Sequence, residues 1–476
     1  MRGMDSLDDA VIVGPASIAG RPCFVHVAAD AEVREAVEAL LAPFPSALDL
    51  LEADGKGPCE AHLTVVAEGD GLTLHRSRPK RLAEAGRSRV VVEEVSGAAL
   101  LHTLVDEVDA IARNACARRL TGLPGAVVAT DAGAVALLDA GADGSATRLA
   151  AALVAAGAAP VGDALVLLDD GGALVAHPRP LRLDVEASGN GAPAPPPGDG
   201  PEGWPAWAGE PVEGRVLMAP PDGGAPGTLA AVVLVGHAAE APELAHGDAE
   251  AASAPTNGAA PGGATPSGAT PSGAAPGDAA PGDAAPAGAT PAGAAAGGGE
   301  HAAVTAGVTP AVAAADVAET LKLVDAVSGS PHALERLRAL LAAAPLLRAA
   351  PAGAPAEALA AELRAALAAD GLARVEVGEP FDHEPGGSLE PADGVVSVPV
   401  AGELLLHEQR TGGLHHLNPA AALLWACLLD GLDAEASAAE LAAALGHDDA
   451  AAVAGEVAAF HAWVREAGLA VEPARA

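Results

Sequence analysis

A proline repeat sets the strongest limit on what this chain can fold into. Between about residues 240 and 315 the sequence consists mainly of Ala, Gly, Pro and Thr, and prolines recur at every fifth position from Pro261 to Pro291. Proline at this spacing excludes helix, and Ala and Gly offer little to bury, so we expect a disordered linker. The folded parts must come from residues 1–239 and from residues after the linker.

Composition and charge exclude several classes of partner. The chain of 476 residues has a formal net charge of −37, which opposes binding to nucleic acid and to anionic membranes. Its four cysteines lie far apart without CxxC spacing, which indicates reduced thiols and no zinc site. The sequence contains no uninterrupted apolar run of membrane-spanning length and no signal-peptide pattern. We therefore expect a soluble, cytoplasmic protein without metal or cofactor.

The first half of the chain predicts an α/β unit. Short apolar runs such as "GAVVAT", "AVALL" and "ALVLL" alternate with the helical stretch "ATRLAAALVAAG". Before them, residues 1–100 contain further strand-like and helix-like runs to which we assign no chemistry. At a predicted strand-to-helix junction stands "LLDAGADGSATRLAAAL", residues 137–153, a glycine-containing loop of the kind that binds phosphate.

This loop lacks the lysine that a phosphate site needs. In one register Ser145 stands in the lysine position; in another Ala146 does, and Thr147 keeps the hydroxyl that would bind magnesium. The nearby Arg148 is expected to point away from the loop. The residues that make up the degenerate phosphate loop are Gly141, Gly144, Ser145, Ala146 and Thr147, together with Asp163 after the helix.

The segment 134–183, which ends in "AHPRPLRL", resembles the HPr-kinase-like ATPase fold. The resemblance extends over about residues 100–350, interrupted by the linker, with a closing helix expected at 317–350. It implies phosphate transfer in members that pair two acidic residues after the helix, whereas here Asp163 is followed by Ala164. We expect this domain to be a catalytically inactive scaffold. Two alternatives are a domain that shares the fold but never bound nucleotide, and a domain that retains weak activity.

The last hundred residues predict a hairpin followed by three helices. The runs "ELLLHEQ" and "LHHL" flank a turn at residues 411–413, and Asn418 with Pro419 marks the start of the first helix. Ser437 and Glu440 form a candidate capping box for the second helix, and Asp448 or Asp449 opens the third. Residues 411–464 contain no Lys or Arg but seven acidic residues, which excludes DNA binding by this winged-helix-like outline.

The same outline suits capture of an extended peptide along a sheet edge. "LHHLNPAAALLWACLLDGLDAEASAAELAAAL" followed by "VAAFHAWVREAGL" resembles the PqqD family of small peptide chaperones, which recognise ribosomally made, modified peptides. The resemblance implies that a leader peptide binds beside the strand 414–417 and the helix 453–464. The implied peptide-binding residues are Leu414, His415, His416, Leu417, Val453, Val457, Phe460 and Val464.

Some of these side chains can instead be interpreted as structural rather than peptide-binding. Phe460 is expected mainly in the core, and the neighbouring histidines, with His461, at exposed or groove-edge positions rather than around a metal.

The predicted organisation has four parts. They are a degenerate HPr-kinase-like α/β domain (1–239), a disordered linker (240–315), a helical segment (316–384) and a PqqD-like domain (385–476). The predicted function is a noncatalytic adaptor that binds a leader peptide and presents it to a modifying enzyme. Two alternatives are a peptide kinase with a fused recognition domain and a regulatory protein that binds a helix rather than an extended leader.

Overall fold

The computed structural model describes residues 10–47, 61–77, 89–140, 144–184, 205–218, 227–236, 303–306, 316–324, 333–350, 355–369, 372–379, 389–446 and 449–472. Most of the predicted linker and Gly141 lie outside these ranges. The described chain is a mixed α/β structure with several sheets. No helix in the described ranges combines the length and apolar character needed to cross a membrane.

The N-terminal unit is a five-stranded sheet with helices against one face. Its elements are β1 Val11–Ile18, β2 Arg21–Ala28, α1 Ala31–Leu41, β3 Ala61–Glu68, β4 Gly71–Ser77, β5 Arg89–Val95 and α2 Gly97–Arg119. The strands lie in sequence order, and all neighbours are antiparallel except β2 and β3. Alternate residues such as Val25, Leu63 and Leu74 are fully buried in the same core as α2 residues Leu101 and Leu104.

The central unit is built on a six-stranded sheet. Its sheet, connecting strands and helices are β6 Thr121–Leu123, β7 Gly125–Thr130, β8 Gly133–Asp139, α3 Ser145–Ala155, β9 Ala159–Gly162, β10 Val166–Leu168, β11 Leu174–Val175, β12 Arg182–Asp184, β13 Arg215–Leu217, β14 Leu229–Val235, β15 Ala303–Ala306, a helix at 316–324 (α4), α5 Ala333–Ala343, β16 Leu346–Ala350 and α6 Ala356–Ala368. The sheet order is β15-β16-β14-β8-β7-β9, with β16, β14 and β8 parallel.

Both faces of this sheet are covered. The strands β8 and β14 are continuous apolar runs, as parallel strands buried on two faces usually are. On one face Leu137 and Val233 share a core with α3 and α6 residues such as Leu149 and Leu363. On the other face Leu138 and Leu234 pack with the helices α4 and α5.

The structure changes two boundaries predicted around the linker. Residues 303–306, expected to be disordered, form β15 and pair antiparallel with β16. The expected closing helix at 317–350 is instead α4, α5 and the strand β16, because Pro345 ends the helical run and the apolar "LLRAA" enters the sheet. The proline-rich run is therefore an insertion between β14 and β15, two strands of one sheet, rather than a spacer between domains.

The C-terminal module, residues 389–472, has a three-stranded sheet and three helices. Its elements are β17 Glu390–Pro391, β18 Val395–Val400, β19 Glu403–Glu408, β20 Gly413–Leu417, α7 Pro419–Leu429, α8 Ala434–Leu445, a single 3-10 turn Ala450–Ala452, α9 Ala454–Glu466 and β21 Ala470–Val471. Asn418 caps α7 as the sequence predicts, since its Oδ1 accepts the Ala421 N–H at 2.9 Å. The predicted hairpin is also confirmed.

Helix α8 begins one turn earlier than its predicted capping box. Asp433, not Ser437, is the cap: its Oδ1 accepts the Ala436 N–H at 2.9 Å. Ser437 is fully buried inside the helix. Asp433 lies two residues after Gly431, which has a left-handed conformation, and its carboxylate reaches the first helical turn before Ser437 can. Asp449 opens the 3-10 turn before α9, and Asp448 lies outside the described residues.

The module does not stand apart from the central unit. One face of its sheet, with Leu404 and Leu406, packs against α7, α8 and α9. The opposite face, with Val398, Val400 and Leu405, is buried in the core that α4 and α5 form on the central sheet. The two units therefore share a continuous apolar interface.

Candidate functional site

The first candidate is the junction between β8 and α3, where the sequence predicts a degenerate phosphate loop. β8 ends at Asp139 and α3 begins at Ser145. Gly144 between them has φ +75°, a left-handed conformation that favours glycine. Its N–H donates to Asp139 Oδ2 at 2.8 Å. A backbone N–H of the kind that a phosphate loop offers to its ligand is thus occupied by a carboxylate of the protein itself.

The first turn of α3 holds the two residues that could stand for the missing lysine. Ser145 is buried and Ala146 is fully buried in the core beneath the helix. Arg148 does not point away as the sequence predicted, because its Nη2 donates to Ser145 Oγ at 2.9 Å. The guanidinium is therefore folded back along the first turn.

The hydroxyl of Thr147 and the carboxylate of Asp163 lie in direct contact. Thr147 Oγ1 donates to Asp163 Oδ1 at 2.6 Å, an arrangement that matches the register in which Ala146 replaces the lysine. Asp163 Oδ2 accepts the Arg182 backbone N–H at 2.9 Å and lies 3.6 Å from Arg179 Nη1. Both oxygens of this carboxylate are therefore engaged by protein donors.

Arg179 links this carboxylate to the N-terminal unit. Its Nε lies 3.2 Å from Asp109 Oδ2 on α2, and Asp109 Oδ1 accepts from His177 Nε2 at 3.1 Å. Arg179, Asp109, His177 and Asp163 are each at most 3 % exposed. Arg182 adds an outer ion pair, with its Nη2 at 2.8 Å from Asp106 Oδ1. We call Thr147, Asp163, Arg179, Asp109 and His177 the buried polar network.

The sequence alone predicts no role for Arg179, Asp109 or His177. The only signal was the "AHPRPLRL" motif, in which His177 precedes Pro178 and Arg179 lies between Pro178 and Pro180. Within the described ranges no group of three or more His, Cys, Asp or Glu side chains converges as a metal site would require.

The second candidate is the edge of the module sheet. Its outer strand on one side, β18, is covered by the chain segment before it: Gly378 N–H donates to Pro399 O at 2.8 Å and Ala401 N–H to Glu376 O at 3.1 Å. On the other side β20 pairs with β19 and, among the described residues, with no further strand. The outward N–H and C=O groups of β20 can therefore accept another strand.

Helix α9 supplies an aromatic wall beside this edge. The Trp463 ring packs edge-on against His415 of β20, with ring centroids 5.8 Å apart, and its centroid also lies 5.8 Å from that of Phe460. Trp463 and His415 are both half-buried. His415 Nε2 bonds to Glu408 Oε1 at 2.7 Å, and this hydrogen bond lowers the pKa of Glu408. We call the β20 edge with His415, Trp463 and Phe460 the edge groove.

The predicted peptide-binding residues divide between this groove and the interior. Only His415 and the mostly buried Phe460 lie at the groove. Leu414 and His416 face the opposite side of the sheet, where Leu414 packs against the central unit and the buried His416 pairs with Glu403. The remaining predicted residues, all buried in the core of the module, are Leu417, Val453, Val457 and Val464.

Strand and helix periodicity explain these differences. Side chains alternate across β20, so His415 and Leu417 share the face toward α9 while Leu414 and His416 do not. On α9 the apolar stripe faces inward, and Trp463, one residue before Val464, turns toward β20. His461, expected at a solvated position, is also buried. Burial, and secondarily the charge of Arg465, lowers its pKa.

No family model, curated protein or solved structure matches this chain. Function must therefore be argued from the two candidate sites. In the buried polar network, both oxygens of the Asp163 carboxylate are engaged by protein groups, and Arg179 lies between Asp163 and Asp109. At the edge groove, backbone groups and an aromatic wall face outward together.

Proposed function

We propose that this protein is a noncatalytic adaptor that binds an extended segment of a precursor peptide at the edge groove and presents it to a modifying enzyme. The observation that carries the proposal is the outward edge of β20 beside Trp463. An added strand would gain backbone hydrogen bonds from β20, while one of its side chains packs against the indole. The resemblance to PqqD-type leader recognition supports the same assignment.

The central unit acts in this proposal as an inactive scaffold with an HPr-kinase-like ancestry. Three features support this role: the Asp139 carboxylate occupies the Gly144 N–H, Ala146 is buried where a lysine would be needed, and Arg179 neutralises Asp163. A phosphotransfer site must instead hold magnesium and phosphate with free carboxylates and cations. Phosphate transfer from a nucleotide to the bound peptide would overturn the adaptor and favour the peptide kinase.

Composition supports a cytoplasmic site of action and a peptide rather than a nucleic-acid partner. The net charge of −37 repels phosphate backbones, and the groove itself offers no lysine. Ribosomally made precursors are available in the cytoplasm before export. The modifying enzyme would receive the part of the peptide that extends beyond the groove.

Calorimetry with the full-length protein tests this proposal. The ligands are peptides encoded by short reading frames beside its own gene, each with a scrambled version as control. The full chain is used because an isolated module would expose Val398, Val400 and Leu405. We expect one peptide to bind with a Kd of about 1 μM, which corresponds to about 8 kcal/mol of binding free energy.

Variants locate the binding. Trp463→Ala should weaken binding by about tenfold, since a stacked aromatic contact contributes about 0.5–1.5 kcal/mol beyond its area. Leu445→Ala, which shortens an exposed side chain on α8, should leave the affinity unchanged. His415→Ala provides a second groove variant in case Trp463→Ala unfolds. Absence of binding to every peptide, or full affinity in both groove variants, would contradict the proposal.

A further inference from the structure

We infer that the edge groove selects peptides in which Lys or Arg alternates with a large apolar residue. This inference rests on the proposed function and adds the chemical class of the peptide. It follows from the distribution of charge and aromatic side chains around the groove.

The module is strongly acidic. Residues 389–472 contain 13 Asp and Glu but no Lys and only two Arg, Arg410 and Arg465. A surface of one sign attracts ligands of the other sign and repels those of its own.

Both arginines are turned away from the groove. Arg465 Nη1 donates to His461 O at 3.3 Å. Because Arg465 is two residues from Trp463, the two side chains leave α9 about 200° apart. The Arg410 stem lies over Gly394 on the β18 side of the hairpin, 3.6 Å from where a Gly394 Cβ would stand. Neither arginine is paired with a groove side chain, although the charge of Arg410 is close enough to help lower the pKa of Glu408.

Two acidic side chains lie on the elements that form the edge groove. Glu456 is half-buried in the first turn of α9, seven residues before Trp463, so the two lie on one face of the helix two turns apart. At the hairpin end, Glu408 accepts from His415 and from Thr411 Oγ1, the latter at 2.9 Å. One carboxylate thus shares the Trp463 face of α9, and the other contacts His415 on the sheet.

These positions suit an extended chain with alternating side chains. In a strand added to β20, every second side chain faces α9. A Leu or Phe there packs on Trp463, and a Lys or Arg at another position on the same face of the added strand is attracted by the carboxylate of Glu456. A cation can also stack on the indole itself.

Fluorescence anisotropy of the full-length protein with labelled synthetic peptides tests this inference. Three probes of about ten residues keep Leu at the same alternate positions and carry Lys, Glu or Ser at the others; a fourth combines Lys with Ser. We expect the Lys–Leu probe to bind about tenfold more tightly than the Glu–Leu probe. The Ser–Leu probe should fall between them, and the Lys–Ser probe should bind weakly because it lacks the apolar side chain.

A matched pair of variants separates a local effect from net charge. Glu456→Gln should reduce the advantage of the Lys–Leu probe and leave binding of the Ser–Leu probe unchanged. Glu435→Gln removes one carboxylate from the exposed start of α8 and should leave both affinities unchanged. Raising the salt concentration from about 0.1 M to about 1 M, which shortens the screening length to about 3 Å, should weaken the Lys–Leu probe most.

The outcomes distinguish this inference from the proposal on which it rests. If the Ser–Leu probe binds and the Lys–Leu probe binds no better, the charge preference is wrong and edge binding stands. Equal losses in Glu456→Gln and Glu435→Gln would also overturn the inference, because net charge would then account for the preference. If none of the probes binds, both the inference and edge binding fail.

Discussion

The buried polar network and the edge groove differ in how their polar groups are satisfied. At the β8–α3 junction two described groups that could hold a phosphate or a metal have protein partners: Gly144 N–H donates to Asp139, and Asp163 contacts Thr147 and Arg179. At β20 the outward backbone groups have no strand partner in the described part of the chain. A sequence likeness to a functional loop is therefore weaker evidence of function than unsatisfied hydrogen-bonding capacity on a surface.

The largest expected effect comes from removing the cation of the buried polar network. Arg179→Met leaves the carboxylates of Asp109 and Asp163 buried without their guanidinium. Breaking a buried ion pair in this way costs about 3–5 kcal/mol. We expect a loss of this size in the free energy of unfolding, measured by urea denaturation.

Arg215→Met is the matched control. Arg215 pairs with Glu213 at 4.0 Å, and both side chains are exposed, so its loss should cost less than about 1 kcal/mol. Equal losses in the two variants would mean that Asp163 does not depend on Arg179. Its carboxylate would then be available to a metal, and the contrast drawn between the buried polar network and the edge groove would be wrong.

A second variant tests whether the edge groove belongs to a module fixed on the central unit. Leu405→Ala removes a buried side chain from the face of β19 that packs against α4 and α5. Truncation of a buried leucine costs about 2–5 kcal/mol. We expect the free energy of unfolding to fall by this amount and the module and central unit to unfold in one transition.

Leu406→Ala sharpens this test. Leu406 is equally buried but faces α7 and α9 within the module. If the module folded independently, either variant would lower a separate module transition and leave the central unit unchanged. A calorimetric scan with two transitions, of which only one moves, would show that outcome.

A smaller effect concerns His102 on α2, at the rim of the buried polar network. Burial, followed by the charge of Arg182, lowers the pKa of His102 to about 4. Between pH 6.5 and about 4 the unfolded chain binds a proton that the folded chain does not. The stabilising effect of neutral burial is complete above pH 6.5 and is lost as the pH falls toward 4.

His102→Leu should remove this dependence. We expect unfolding free energies of the variant to fall less than those of the wild type between pH 6.5 and 4, by up to about 3 kcal/mol. Above pH 7 the two curves should run parallel, which serves as the internal control. Parallel curves through the acidic range would place His102 in contact with solvent.

Sequence patterns predicted the start of α7 but not the start of α8. Asn418 with Pro419 fixes the start of α7 through backbone and side-chain chemistry, whereas the capping box predicted for α8 was wrong. The N-terminal strands and helices follow from simple periodicity. β16 was missed because "LLRAA" is short and apolar, a pattern that strands and buried helices share.

The sites were harder to predict because they depend on contacts between distant segments. The partner of Asp163 is Arg179, and Arg179 in turn meets Asp109, which lies 70 residues earlier on α2. Likewise, the resemblance placed the groove on α9 but selected Val457 and Val464, which face inward. Trp463 is the side chain that reaches β20, and only the packing of α9 on the sheet reveals this.

Amide hydrogen exchange of the full-length protein tests the central claim most directly. Exchange is followed with and without the tightest-binding peptide of the calorimetric series, and separately with Mg-ATP. We predict that the peptide slows exchange in Gly413–Leu417 and in α9, and that Mg-ATP leaves residues 144–148 unchanged. Protection of residues 144–148 by the nucleotide, or peptide protection that excludes β20, would contradict the account.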